Sequence, residues 1–186
     1  MKALLVQSYL GGDEPIVYPL GLACLKSTLI GYDVRTFDTN VSKRPYEELK
    51  EIIEDFSPAV IGISLRNIDS TNKRKVIFYY SYLKDIIDVI KKTSDARIVI
   101  GGSGFSMFSN EIMKDELRID YGVFLEGENT FKELLDNIER PEKVKGIFYR
   151  SNGNVLFTGP RMQADLNALP FADRTAFGIG HYCNIP

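Results

Sequence analysis

Cysteine and histidine are scarce in this chain: Cys24 and Cys183 are its only thiols, and His181 is its only imidazole, among 186 residues. Two cysteines build no disulfide framework and fit a reducing compartment. His181 and Cys183 together are too few ligands for a structural zinc site, so no metal site is expected. No segment is apolar for about twenty residues, so no membrane span is expected. The start, Met1–Gln7, lacks the long apolar stretch and cleavage site of a secretory leader, and the expected location is cytoplasmic. Neither sign of charge dominates, with 23 Lys and Arg against 25 Asp and Glu for a formal charge of −2. Without a basic stripe there is no electrostatic footprint for nucleic acid. Internal repeats and low-complexity tracts are also missing. What remains, 44% hydrophobic and 26% charged, is the composition of a globular domain, long enough to bury about 70% of its unfolded surface.

Short apolar runs alternate with helical patterns along the chain. Ala3–Gln7, Val34–Asp38, Val60–Ser64, Arg97–Ile100 and Tyr121–Leu125 read as strands. Helices are expected over Leu20–Ile30 with Gly31 as a cap, Tyr46–Phe56 behind Pro45, Lys73–Lys92, Phe108–Leu117 and Thr130–Ile138. Val60–Ser64 is almost wholly apolar, as a strand covered on both faces must be. Five strand–helix alternations with short connections predict an α/β, doubly wound, mainly parallel five-stranded sheet of flavodoxin-like or Rossmann-like type. Past Pro141 the pattern changes: Gly146–Arg150 and Val155–Thr158 predict a small C-terminal β-hairpin, and an irregular, loosely ordered tail follows. The expected division is an α/β domain over 1–140, a hairpin extension over 141–160 and a linker over 161–186. Cys24, inside the apolar run Leu22–Leu25, reads as a core residue.

In such a sheet the loops beyond the carboxyl ends of the strands carry the ligand. The first, Ser8–Pro15, holds Leu10, Gly11 and Gly12 but no G-x-G-x-x-G, and the chain has no G-x-x-x-x-G-K-[ST], which argues against a dinucleotide site and excludes a triphosphate P-loop. A phosphate-accepting receiver domain needs acidic residues after the first strand, an Asp after the third and a Lys after the fifth; Gln7–Ser8, Ser64 and Glu126 stand there instead. The third loop, Ser64–Leu65–Arg66–Asn67–Ile68–Asp69–Ser70, offers hydroxyls, an amide and a guanidinium to a polar ligand, although Asp69 or Ser70 can equally start the next helix. In the fourth, Gly101–Gly102–Ser103–Gly104–Phe105, three glycines remove Cβ atoms where a backbone and a ligand approach closely. Glu126–Gly127–Glu128 either lines the same pocket or opens the last helix, where acidic residues suit the positive helix end.

Taken together, Tyr18–Ala23, Ser64–Asp69, Gly101–Phe105 and Glu126–Glu128, placed on successive loops and the first helix, resemble the cobalamin-binding domain that precedes the barrel of cobalamin-dependent radical SAM enzymes. The resemblance covers about Met1 to Arg150. It implies a corrin ring across the carboxyl edge of the sheet and a nucleotide tail, ending in dimethylbenzimidazole, running down into the protein. Ser64 and Gly101–Phe105 then line the tail channel. Leu10–Gly12, Arg66, Asn67, Glu126 and Gly127 belong near the corrin or its amide side chains, and Leu65 and Asp69 are further expected cofactor-binding residues.

One departure is chemical. Methionine-synthase-like cobalamin domains carry D-x-H-x-x-G in the first loop, whose His ligates cobalt, and this loop has no His. The resemblance therefore implies base-off, His-off cobalamin, suited to methyl transfer through a methyl–cobalt bond, with Arg66 as the candidate group near the lower face. No residue of this chain is expected to be catalytic: the C-x-x-x-C-x-x-C of a radical SAM cluster is missing, so S-adenosylmethionine and a [4Fe-4S] cluster are expected only in a further C-terminal part. The implied partner is a radical SAM domain of the same full-length protein, and a homodimer of the fragment is a further possibility. Alternative readings are a flavodoxin-like domain for a flavin or nucleotide, and a non-catalytic regulatory interaction domain.

Overall fold

The computed structural model describes residues 1–12, 14–70 and 74–183. Its sheet has seven strands: β1 (Lys2–Gln7), β2 (Asp33–Asp38), β3 (Val60–Ser64), β4 (Arg97–Gly101), β5 (Tyr121–Val123), β6 (Ile147–Ser151) and β7 (Asn154–Phe157). Their order is β2-β1-β3-β4-β5-β6-β7. The first five are parallel, as the alternation predicts, and the hairpin joins them: β6 runs antiparallel to β5, and β7 to β6. Asn152 (φ 50°) and Gly153 (φ 77°) both take the left-handed conformation in the hairpin turn, which suits the right-handed twist of the paired strands.

Helices cover both faces. Between α1 (Leu20–Thr28) and α6 (Glu128–Asp136) on one side, and α2 (Pro45–Phe56) and α3 (Tyr79–Thr93) on the other, the strands send alternate residues to opposite cores. Leu4, Val6, Ile61, Ile63, Ile98 and Ile100 pack with Leu49, Ile53 and Phe56 of α2 and Leu83, Ile86 and Ile90 of α3. Ala3, Leu5, Val60, Val99 and Val123 pack with Leu22 and Leu25 of α1 and Phe131 and Leu134 of α6. Pro45 sits in the first turn of α2, and Ser57 ends it at φ 49°. Cys24 is half-buried on α1 rather than in the core, and burial pushes its thiol up from its ordinary value.

Three stretches differ from expectation, the first being α1, which stops at Thr28 with Leu29 as its cap, short of the expected Ile30 and Gly31. The expected start of the third at Lys73 lies outside the described residues; α3 begins at Tyr79, after Asp69 and Phe78 form a bridge. Ser70 organises this turn rather than capping the helix: its hydroxyl accepts from the Ile77 N–H at 3.0 Å and donates to the Lys75 carbonyl at 3.1 Å. The expected helix over Phe108–Leu117 is present as α5 (Ser109–Asp115), but a further short helix, α4 (Ser103–Met107), precedes it, so part of the glycine-rich loop is itself helical.

The tail is irregular, as expected, but it is docked and not loose. Lys26 pairs with Asp173 at 3.0 Å, the Asp173 N–H donates to Ser27 Oγ at 2.7 Å, and the Tyr18 hydroxyl donates to the Asp173 carbonyl at 3.1 Å. Farther along, the Tyr182 hydroxyl donates to Asp38 at 2.7 Å, and Phe177 is buried against Tyr18. Residues 173–182 thus strap α1 to β2.

Candidate functional site

At the carboxyl edge, β3 ends on Ser64 directly opposite Gly101 of β4. The loops beyond are joined by backbone bonds: Leu65 N–H to the Gly101 carbonyl at 2.8 Å, and Gly104 N–H to the Leu65 carbonyl at 2.9 Å. This close approach explains two of the glycines. Gly102 has φ +97°, and a Cβ there would lie 2.6 Å from the Leu65 oxygen; at Gly104 it would lie 2.9 Å from the Asn67 backbone. Gly101 differs, since its Cβ would meet only Val123, at 3.7 Å.

A cavity of about 630 Å³ opens beside that edge, between the sheet and the α1/α6 layer. It exists because the strand residues facing that layer are small. Ser64 and Gly101 line it where larger side chains would fill it, whereas Gly62 lines it while admitting the Phe131 ring, which a Cβ there would meet at 2.9 Å. Leu22 and Leu25 of α1 form one wall, Phe131 and Gly127 of α6 another. Arg161, Met162 and Gln163 close over it. That cover is held by Arg161 to Glu133 and by the Ala164 N–H donating to Glu126 Oε2 at 2.9 Å.

A second cavity of about 300 Å³ lies over the crevice between β1 and β3, lined by Gln7, Leu10, Tyr18, Asn40 and Arg66. Here the chain leaves β1 for β2 on one side and returns to β3 on the other, the switch point at which open α/β sheets bind ligands. Ser64, Gly102, Ser103, Gly21 and Leu22 line both cavities. Asn40 fixes the first loop, accepting from the Leu10 N–H at 2.8 Å and donating to the Ser8 carbonyl at 3.1 Å. The buried Tyr79 hydroxyl donates to Glu14 on the same loop; burial first, then that carboxylate, pushes the phenol well above its ordinary value.

Of the residues singled out from the sequence, Ser64, Gly101, Gly102, Ser103, Glu126 and Gly127 line the larger cavity, and Leu10 and Arg66 the smaller. The others surround them. Leu65 and Phe105 are buried in the α2/α3 core, Gly104 packs on the Asn67 backbone, and Asn67 and Asp69 are exposed. Gly11 (φ +87°) lies on the Tyr82 ring, and Gly12 near the Tyr9 hydroxyl. Glu128 opens α6 and lines the cavity at once, so both readings of that loop hold. Sequence reasoning missed Gly62, Leu25, Phe131 and Asn40; a glycine inside the apolar run Val60–Ser64 is the one signal that marks a close approach there.

His181 is remote from both cavities, in an exposed turn beside Gly178 and Tyr182. Among the described residues no group of three or more His, Cys, Asp or Glu can hold a metal ion, and no helix is long and apolar enough to cross a membrane.

Comparison with solved structures gives the same architecture. The radical S-adenosylmethionine methyltransferase TsrM from Kitasatospora setae, solved with cobalamin and a [4Fe-4S] cluster bound, matches with a TM-score of 0.77 at 23% identity, over 94% of this chain and 32% of that one. The apo cobalamin-dependent S-adenosylmethionine radical enzyme OxsB matches with a TM-score of 0.65 at 18% identity, over 99% of this chain and 25% of that one. Among curated proteins, the uncharacterized methyltransferase PH0819 of Pyrococcus horikoshii is 30% identical over 148 residues, 77% of this chain and 30% of its own length. The chain thus spans about a third or less of the proteins it matches. The model for the B12 binding domain matches residues 10–135, a stretch that takes in both cavities' strand-end loops, and the chain belongs to the B12-binding domain family.

Proposed function

We propose that this domain holds cobalamin with its nucleotide tail in the larger cavity and its corrin across the carboxyl edge, without a histidine below the cobalt. The observation carrying this reading is the largely apolar slot with Ser64 and Gly101 at its mouth and Gly62 deeper in, open at the edge. A flat aromatic base fits a slot where strand residues have lost their side chains, and ligand sites are mostly apolar with a few polar groups at defined points. Leu10, Gly11, Gly12, Asn67, Asp69 and Arg66 lie on the two loops that would meet the ring, with Arg66 the group nearest its lower face in this reading. The first loop holds no imidazole, and His181 stands elsewhere. Bound cobalamin would supply a cobalt centre able to accept and pass on a methyl group.

The domain so placed serves a larger protein, with a radical SAM domain following in the same chain to provide S-adenosylmethionine and the [4Fe-4S] cluster. Residues 1–140 would form the cofactor domain, 141–160 the hairpin that extends its sheet and 161–186 the connection onward. The likeness in fold to TsrM and OxsB supports this placement.

The test is loading of the chain with hydroxocobalamin, removal of free ligand and a visible spectrum. Retention with a base-off spectrum is expected, and Gly101→Leu, whose side chain grows into the cavity, should fold and lose loading. Retention with a histidine-on spectrum that His181→Ala abolishes would overturn the His-off assignment. Failure of both this chain and the full-length protein to retain cobalamin would overturn the reading as a whole.

A further inference from the structure

Resting on the reading above, we propose that the floor of the larger cavity selects corrinoids by their lower base, taking an alkylated benzimidazole in preference to a purine. Depth in this cavity follows the sheet register. At the mouth, Ser64 pairs with Gly101; two residues farther from the edge, Gly62 pairs with Val99. Leu25 lies one turn down α1 from Gly21, and Phe131 one turn down α6 from Gly127, and both line the cavity together with Val123. The floor is therefore Leu25, Gly62, Val99, Val123 and Phe131, with no polar side chain among them.

The polar lining lies on the edge loops and the cover, and much of it is already engaged. Ser103 Oγ donates to the Arg66 carbonyl at 2.6 Å, Ser106 Oγ accepts from the Leu125 N–H at 2.9 Å, and Glu126 Oε2 accepts from Ala164. The Arg161 guanidinium is turned to Glu133 and the Lys145 carbonyl. Backbone groups around Gly62 and Val99 belong to the parallel ladder of β3 and β4.

A base entering this slot leads with the edge opposite its sugar. In dimethylbenzimidazole that edge carries two methyl groups, which lose water at a gain. In adenine the corresponding ring carries an exocyclic amine and two ring nitrogens, which would lose water and find no side-chain partner on the floor. The difference corresponds to a preference of at least about tenfold.

Competition decides it. The chain is dialysed against equimolar cobalamin and its adenine-carrying analogue, and the bound fraction is identified by mass. Preference for cobalamin is expected. Val99→Thr, which exchanges one floor methyl for a hydroxyl of the same shape, should narrow that preference severalfold while its thermal transition reports that the fold is kept. Equal retention of the two corrinoids, or a preference untouched by Val99→Thr, would overturn the proposal and leave the cobalamin reading standing. Retention of neither, by this chain or the full-length protein, would overturn both.

Discussion

The two faces of this sheet use the same strands to opposite ends. Toward α2 and α3, β3 and β4 present Ile61, Ile63, Ile98 and Ile100, every one of them at most 2% exposed, and Phe105 closes the layer. Toward α1 and α6 the intervening positions are Gly62, Ser64 and Gly101 beside Val60 and Val99, and a cavity takes the place of packed side chains. Because neighbouring residues of a strand point to opposite faces, alternating large and small side chains builds a rigid core and a slot back to back. The filled face supplies cohesion that the open one cannot, since an interior void forfeits both transfer energy and dispersion contacts.

Substitutions can break this contrast from either side. The largest effect is expected at Gly122 of β5, where a Cβ would lie 2.2 Å from the Phe105 ring. Gly122→Val should cost several kcal/mol, on the order of 3 or more by overpacking, seen as a lower midpoint in urea unfolding. Next comes a matched pair of truncations. Leu83→Ala, in the filled core, should cost about 3–5 kcal/mol, whereas Leu25→Ala, beside existing empty space, should cost about 2 kcal/mol. Equal costs would mean that the cavity face is as tightly packed as the other.

A smaller effect concerns the strap over α1. The Thr175 hydroxyl and then the Lys26 ammonium hold the Asp173 carboxyl below its ordinary value. A carboxyl depressed in the folded state favours folding above its unfolded pKa, about 3.9, and loses that contribution as pH falls through the lower folded value. Amide protection along 173–182, taken relative to the unstructured rate at each pH, should therefore fall below about pH 4 before that of the α2/α3 core. Protection that falls in both regions together would deny the strap any separate stability.

Much of the frame was legible before any coordinates. The apolar runs at Ala3–Gln7, Val60–Ser64 and Arg97–Ile100 are strands within a residue, because a strand buried on both faces has no polar face to blur it. Pro45 marks the start of α2, since a proline ring suits a first turn and little else in a helix. Less was legible where long-range contacts decide. The start of α3 depends on Ser70 and on the bridge between Asp69 and Phe78. The hairpin joins β5 because that strand still has an open edge, and no local pattern states which edge a hairpin will find. The strap depends on Tyr18, Lys26 and Asp38, distant in sequence from the residues they bind.

The candidate site divides in the same way. Sequence alone determined that the strand-end loops carry the polar and glycine-rich residues and that the first of them has no imidazole, because composition and loop placement are local properties. Only the tertiary structure decided that Gly102 and Gly104 serve the contact between two loops and Gly62 the close approach of Phe131, while Gly101 leaves room for the cavity. A glycine's role depends on what its missing Cβ would have met, and the neighbours that decide it come from other strands and helices.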